Sequence, residues 1–269
     1  MIEGTEFNDT RRSMFTAHAD AYEAGRPGYP NAVFEYLAES CGLVPACRVL
    51  EIGPGTGQAT EPLLDAGAHV IAVELGSELG DRLRAKYRDR SLEVVVGDFV
   101  SAELQVEPFD LVCSATAFHW VDPTVGFGLV ADQLRPGGTA ALWWNFYGDV
   151  NSPDPLWEML HPLIAKYAPQ LASGAGVGAN PYALDVEART AEFAASGRFD
   201  PVTHRFFRWT ATHTAPQVRA LFASFSEWMA LDEAVREPLL DEIADAVDNE
   251  FGGMVERPYT TAIYSASRH

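Results

Sequence analysis

Val49-Leu50-Glu51-Ile52-Gly53-Pro54-Gly55-Thr56-Gly57 is the stretch that decides the fold. An apolar strand, interrupted by one acid, runs straight into glycines at alternate positions. Glycine permits positive φ and lets another group approach the backbone closely. A helix starting just after such a turn offers unpaired N–H groups and the positive end of its dipole, which favour a negative or polar ligand. A plain turn between strand and helix does not need three glycines. A P-loop needs Lys-Ser or Lys-Thr after the last glycine, whereas Gln58-Ala59 follows here. A dinucleotide fingerprint needs G-x-G-x-x-G. Here position 58 is Gln, and the third glycine comes one residue early, at Gly57.

Outward from this turn, short apolar runs alternate with amphipathic segments. Strands are expected at 48–52, 68–75, 92–96, 110–114 and 139–146, each apolar nearly throughout, as suits a parallel strand buried on both faces. Helical patterns at 59–66, 78–88 and 125–134 lie between them. This alternation predicts a doubly wound parallel sheet with right-handed crossovers. A helix over 31–40 precedes the first strand and follows the irregular Gly25-Arg26-Pro27-Gly28-Tyr29-Pro30. Beyond the fifth strand the rhythm breaks. Helices are expected at 152–167, 185–195, 216–224 and 232–251, a Gly/Ala-rich linker at 172–180, and strands at 202–209 and 259–267. The expected architecture is an α/β, Rossmann-like seven-stranded sheet, parallel except for an antiparallel last strand, with a helical cap. Residues 1–269 read as one domain. It comprises an N-terminal lid (1–40), a ligand-binding core (41–146), cap inserts around strand six (147–258) and the last strand (259–269).

Composition narrows the function. Apolar residues make up 47% of the 269 and charged residues 21%, both ordinary for a globular chain. Nineteen basic against 38 acidic residues give a net charge of −19 and no basic stripe is visible, so binding to nucleic acid or to an anionic membrane is disfavoured. No apolar run is long enough to predict a membrane-spanning helix. Met1-Ile2-Glu3-Gly4-Thr5-Glu6 lacks a basic segment followed by an apolar one, so no signal peptide is expected. Cys41, Cys47 and Cys113 cannot all pair and form no CxxC, which points to a reducing cytoplasm. His18, His69, His161, His204, His213 and His269 lack ligand spacing with Cys or carboxylates, so no metal is expected.

The 49–57 segment resembles motif I of the class I S-adenosylmethionine-dependent methyltransferases, and the rest of the core agrees in order. Glu74 ends the second strand, Gly97-Asp98-Phe99 the third, Phe109-Asp110-Leu111-Val112 opens the fourth, and Leu134-Arg135-Pro136-Gly137-Gly138 is the turn before the fifth. Singly these are a surface acid, a helix cap and a turn. Their joint order at strand ends, where open α/β sheets bind ligands, is what carries the resemblance. Within that class the chain is similar to the small-molecule branch, methyltransferase type 11, of the ubiquinone-biosynthesis and trans-aconitate types. Ala19-x-x-Tyr22-x-x-x-Arg26-Pro27-x-Tyr29-Pro30 and Ala117-Phe118-His119-Trp120-Val121-Asp122-Pro123 carry this closer likeness, which covers roughly residues 10–145. No Asn-Pro-Pro-Tyr or Asp-Pro-Pro-Tyr follows strand four, which disfavours the base-amine and glutamine branches.

The resemblance implies S-adenosylmethionine as cofactor and methyl transfer to a small, largely apolar molecule. It implies cofactor contacts from the turn residues Glu51, Gly53, Gly55, Gly57 and Gln58. Glu74 and Leu75 would serve the ribose, where a carboxylate can accept two hydroxyl hydrogens. Gly97, Asp98 and Phe99 would serve the adenine. Ala115, Thr116 and Trp120 complete the set after the fourth strand. In similar proteins the segment holding Tyr22 and Arg26 folds over the cofactor, and Arg26 offers a fork for a carboxylate. His119 is the candidate base, which slightly favours O-methylation; the alternative is a histidine that shapes the pocket. Trp143, Trp144, Phe146, Tyr147, Trp157, His161, Phe222, Phe225, Trp228 and Met229 line an acceptor or simply pack the core. Two other functions stay open: binding of S-adenosylmethionine without methyl transfer, and a nicotinamide-dependent oxidoreductase.

Overall fold

The computed structural model describes residues 19–104, 107–147, 154–169 and 182–269. His18, part of the 1–40 lid and the 172–180 linker lie outside the described residues. The chain divides into two compact units, one drawn from 1–27, 147–180 and 208–260, the other from 28–146, 181–207 and 261–269.

The larger unit holds the alternating pattern. β1 (Arg48–Ile52), β2 (His69–Glu74), β3 (Leu92–Val96), β4 (Phe109–Ala115) and β5 (Leu134–Tyr147) follow each other in the chain, and the sheet order is β3-β2-β1-β4-β5-β7-β6. β6 is Thr203–Thr214 and β7 is Met254–Ser267. The first five strands pair in parallel. β7 enters between β5 and β6 and runs antiparallel to β5, since Gly137 N donates to Arg268 O and Arg268 N to Gly138 O, both at 2.8 Å.

Burial on both faces explains the continuous apolar strands β1, β2, β4 and β5, whereas β3, expected to be buried likewise, is the sheet edge and leaves Val96 38% exposed. Val49, Leu111, Cys113, Ala141 and Trp143 face one core with Leu37 and Leu63. Leu50, Ile52, Val112, Leu142 and Trp144 face the other with Phe127 and Phe193. At the opposite end from the glycine turn, Asp110 accepts from Arg48 N at 2.9 Å and from Arg135 Nε at 2.7 Å. These bonds hold its carboxyl below the usual carboxylate range.

Several sequence boundaries shift. The stretch 134–138, expected as a turn, belongs to β5: Leu134 pairs with Phe109, and an irregularity between Phe109 and Leu111 absorbs the Pro136-Gly137 kink. β6 and β7 run longer than their apolar runs; the exposed β6 alternates and leaves no continuous apolar signal, and β7 begins with the alternating Met254–Arg257. α1 (Ala19–Gly25) and a short helix, Ser226–Met229, were not expected as separate elements.

The smaller unit is helical, with Leu156, Leu160, Val218, Phe222, Trp228, Leu239, Ile243 and Val247 in one apolar cluster. Phe222 and Trp228 thus pack that core. It also encloses a polar group. Arg257, 3% exposed, donates from Nε and NH2 to Asp154 Oδ2 at 3.1 and 2.6 Å. Asp154 meanwhile caps the helix Pro155–Tyr167 through Trp157 N. His213 Nε2 lies 2.8 Å from Tyr259 Oη, and burial pushes its pKa down to about 4. Breaking a buried ion pair leaves a charge uncompensated and costs about 3–5 kcal/mol. Asp154→Ala is therefore expected to lower the free energy of urea unfolding by an amount on that order. A loss below about 1 kcal/mol, the range of exposed pairs, would show that the pair carries no such role.

Candidate functional site

The carboxyl ends of β1 to β4 bring the predicted residues of the larger unit together. Gly53, Gly55 and Gly57 have φ of 68°, 59° and 92°, in the left-handed region. A Cβ on Gly53 would sit 2.6 Å from the Cβ of Ala117, and one on Gly57 would sit 2.9 Å from the Tyr87 ring. Only glycine fits at either position. The turn is closed by Gly53 N to Val73 O at 2.9 Å and Gly57 N to Pro54 O at 3.0 Å. Gln58 is held inside it by the Thr56 hydroxyl at 2.9 Å.

Glu74 ties two turns together. Its Oε2 accepts from Gly55 N at 3.0 Å and its Oε1 from Gly76 N at 2.8 Å. Burial raises its pKa, opposed by the bonds from Gly76, Gly55 and Leu75. A carboxylate offers about four lone-pair sites, so with Gly76, Gly55 and Leu75 bonded to it a further donor can still be accepted. Glu74 O also receives Gly97 N at 2.8 Å, which brings the start of the Gly97-Asp98-Phe99 turn beside it. Asp98 Oδ1 accepts from Val100 N at 3.0 Å, and Phe99 is buried in the core.

After β4, Ser114 Oγ donates to Ile52 O at 2.8 Å and locks the strand end to β1. Thr116 takes a φ of 54°, uncommon for a residue with a branched side chain. Its N donates to Trp143 O at 2.7 Å and its hydroxyl lies 2.8 Å from Tyr29 Oη. Such strain persists where surroundings over-determine it, characteristically at ligand sites. His119 and Trp120 lie on a single 3₁₀ turn, Phe118–Trp120, anchored by the buried Phe118.

Tyr22 and Arg26 belong to the smaller unit. The Arg26 guanidinium donates to Ser224 Oγ at 2.8 Å, Tyr147 Oη at 2.8 Å and Ser224 O at 3.3 Å, and lies over the Tyr22, Tyr147 and Phe225 rings. Its fork is therefore already engaged. Sequence reasoning missed Asp154, Arg257, Tyr182 and the contact between Trp144 and His119. No local pattern marks them, since each depends on a partner at least 25 residues away, except Tyr182 with Arg189 and Glu192.

Glu51 lies behind the turn rather than on it. It is 1% exposed, accepts from the Thr60 hydroxyl at 2.7 Å through Oε2, and has no partner at Oε1 among the described residues. Burial pushes its pKa up to about 7, with Glu74 adding to the rise. A raised acid binds its proton more tightly when folded. The stabilisation is complete below the unfolded value of about 4.5 and is lost as pH rises through about 7. Glu51→Gln keeps the shape and does not ionise. Its stability relative to the parent is expected to rise between pH 5 and pH 8 by about 2–3 kcal/mol, read as unfolding midpoints at both pH values. An equal difference at both would contradict a buried, titrating Glu51.

Residues 50–142 match the family described as a methyltransferase domain. A protein of Mycobacterium tuberculosis named as an uncharacterized methyltransferase is 38% identical over 139 residues, 51% of this chain and 55% of that protein. The chain thus spans about half the length of the curated relatives it matches first. An uncharacterized methyltransferase-like protein of Schizosaccharomyces pombe is 25% identical over 252 residues, 92% of each chain. Among solved structures, a candidate type II methyltransferase from Anaeromyxobacter dehalogenans superposes with a TM-score of 0.57 at 22% identity, covering 90% of this chain and 97% of that one, which supports the fold. Over residues 50–142 the chain is thus similar to a methyltransferase domain, on a fold shared with solved methyltransferases.

Proposed function

We propose that this protein transfers the methyl group of S-adenosylmethionine to a small organic molecule. The observation that carries the proposal is Glu74, whose two oxygens are fixed by the Gly55 and Gly76 amides beside a turn that tolerates only glycine. A carboxylate held this way is preorganised to accept from a ligand hydroxyl. The residues present fit the cofactor. Glu74 takes the ribose with Leu75 alongside, Asp98 the adenine amino group, and Phe99 with Gly97 shapes that end. The Gly53–Gly57 turn, with Gln58 and with Glu51 behind it, cradles the methionine portion. Ala115, Thr116 and Trp120 border the reacting end. When bound, S-adenosylmethionine supplies a methyl group on an activated sulfonium, so the chain's own task is to align the acceptor and exclude water.

Tyr22 and Arg26 are proposed for the methionine carboxylate. Because Ser224 and Tyr147 engage Arg26, that role requires exchanging one of those bonds. The acceptor is proposed to be small and largely apolar, since the net charge of −19 opposes a phosphate backbone. O-methylation is proposed ahead of N- or C-methylation. No helix among the described residues is long and apolar enough to cross a membrane.

The test supplies methyl-labelled S-adenosylmethionine with either a metabolite extract or total RNA. Label is expected in organic-extractable small molecules. Label confined to RNA would overturn the acceptor class, and no transfer to either would favour cofactor binding without catalysis. Glu74→Ala and Asp98→Ala are each expected to weaken S-adenosylhomocysteine binding at least about tenfold, the loss of one charge-assisted hydrogen bond. Parental affinity in both would remove these residues from the site.

A further inference from the structure

Trp144 and His119 meet in a way that the base assignment does not foresee. Trp144 Nε1 lies 3.1 Å from His119 Nδ1. The indole nitrogen is a donor only, so Nδ1 accepts. In the neutral ring the proton then sits on Nε2. A proton on Nδ1 would face the indole hydrogen and lose this bond.

The indole that imposes this is itself fixed. Trp144 is 4% exposed, with the Tyr182 ring 5.4 Å and the Tyr264 ring 6.3 Å away, both edge-on. Tyr264 Oη donates to Ala183 O at 2.9 Å. Tyr182 is covered by the Arg189 guanidinium, 3.3 Å from its ring centre. Arg189, 6% exposed, is paired through two nitrogens with Glu192 at 2.8 and 2.5 Å and donates to Tyr182 O at 2.8 Å. On the other side, the His119 ring lies 4.8 Å from Trp120 and 5.9 Å from Tyr182, on the turn that Phe118 anchors. The histidine itself is exposed.

We propose that Trp144 is a positioning residue that fixes His119 as the Nε2–H tautomer, so that His119 donates a hydrogen bond to an oxygen of the acceptor instead of removing its proton. This rests on the methyl-transfer proposal for its consequence, and it narrows the acceptor. A nucleophile that needs no base at this position fits: an oxygen that is ionised before it binds. The reaction then needs no proton acceptor from the chain, because the proton has already gone to solvent.

The tautomer is read without cofactor or acceptor, so its failure is distinct from failure of the methyl-transfer proposal. The full chain is labelled with ¹⁵N-histidine and long-range ¹H–¹⁵N correlations are recorded about two pH units above the ordinary imidazole value of about 6.5. The His119 signals are assigned by their loss in His119→Gln. A pyrrole-type Nε2 and a pyridine-type Nδ1 are expected, with the two forms mixing in Trp144→Phe. A pyrrole-type Nδ1 in the parent overturns the proposal whether or not Trp144→Phe folds, and an unchanged spectrum in a folded Trp144→Phe removes Trp144 from the role. In the label-transfer assay, His119→Ala is expected to fall at least about tenfold, the loss of one hydrogen bond to a charged group, and His119→Gln, which keeps an N–H donor, to recover part of that loss. Equal losses in both of about 10²-fold or more, the range of a lost general base, contradict donation.

Discussion

One buried carboxylate organises the ligand end of the sheet. Glu74 closes β2, and its oxygens hold the glycine turn after β1 and the turn that opens the next helix. Its own carbonyl receives the first amide after β3. Three strand ends are thereby fixed against one residue. An acid buried at 6% exposure is costly to keep charged unless it is hydrogen-bonded. The backbone amides meet that cost and leave lone pairs for a ligand. The same bonds that stabilise the turn therefore prepare the site.

Around this point the sheet supplies rigidity and the glycines supply room. Gly53 and Gly57 each sit where any side chain would collide with Ala117 or Tyr87. Glu51, two residues before the turn, is buried and bonded to Thr60, and it interacts with the Glu74 charge. Burial raises both pKa values, and in Glu51 the neighbouring Glu74 adds to the rise. Desolvation is the largest cause of both shifts.

Much of this was legible in the sequence because the constraints are local. Glycine is the residue that adopts a positive φ most readily, and strands buried on both faces write continuous apolar runs, so β1, β2 and β4 and the order of the strand-end motifs follow directly. β5 was read short because Leu134-Arg135-Pro136-Gly137-Gly138 has the composition of a turn, while its pairing with Phe109 is a tertiary fact. The alternating, exposed β6 carries a weaker signal than a buried strand. The Asp154–Arg257 pair spans 103 residues, and the bond from Trp144 to His119 spans 25. Neither has a local signature. Many aromatics around β5 and in the helical unit turned out to be core: Trp143 packs edge-on against Tyr29 and Phe34, and Phe222 against Trp228.

If the Gly53–Gly57 turn with Glu74 and Asp98 cradles S-adenosylmethionine, the isolated protein binds that cofactor and its demethylated product. Calorimetric titration of the purified full chain with S-adenosylmethionine, S-adenosylhomocysteine and NAD tests it most directly. Micromolar binding of the first two and none of NAD is expected. Binding of NAD alone, or of none of the three, would contradict it.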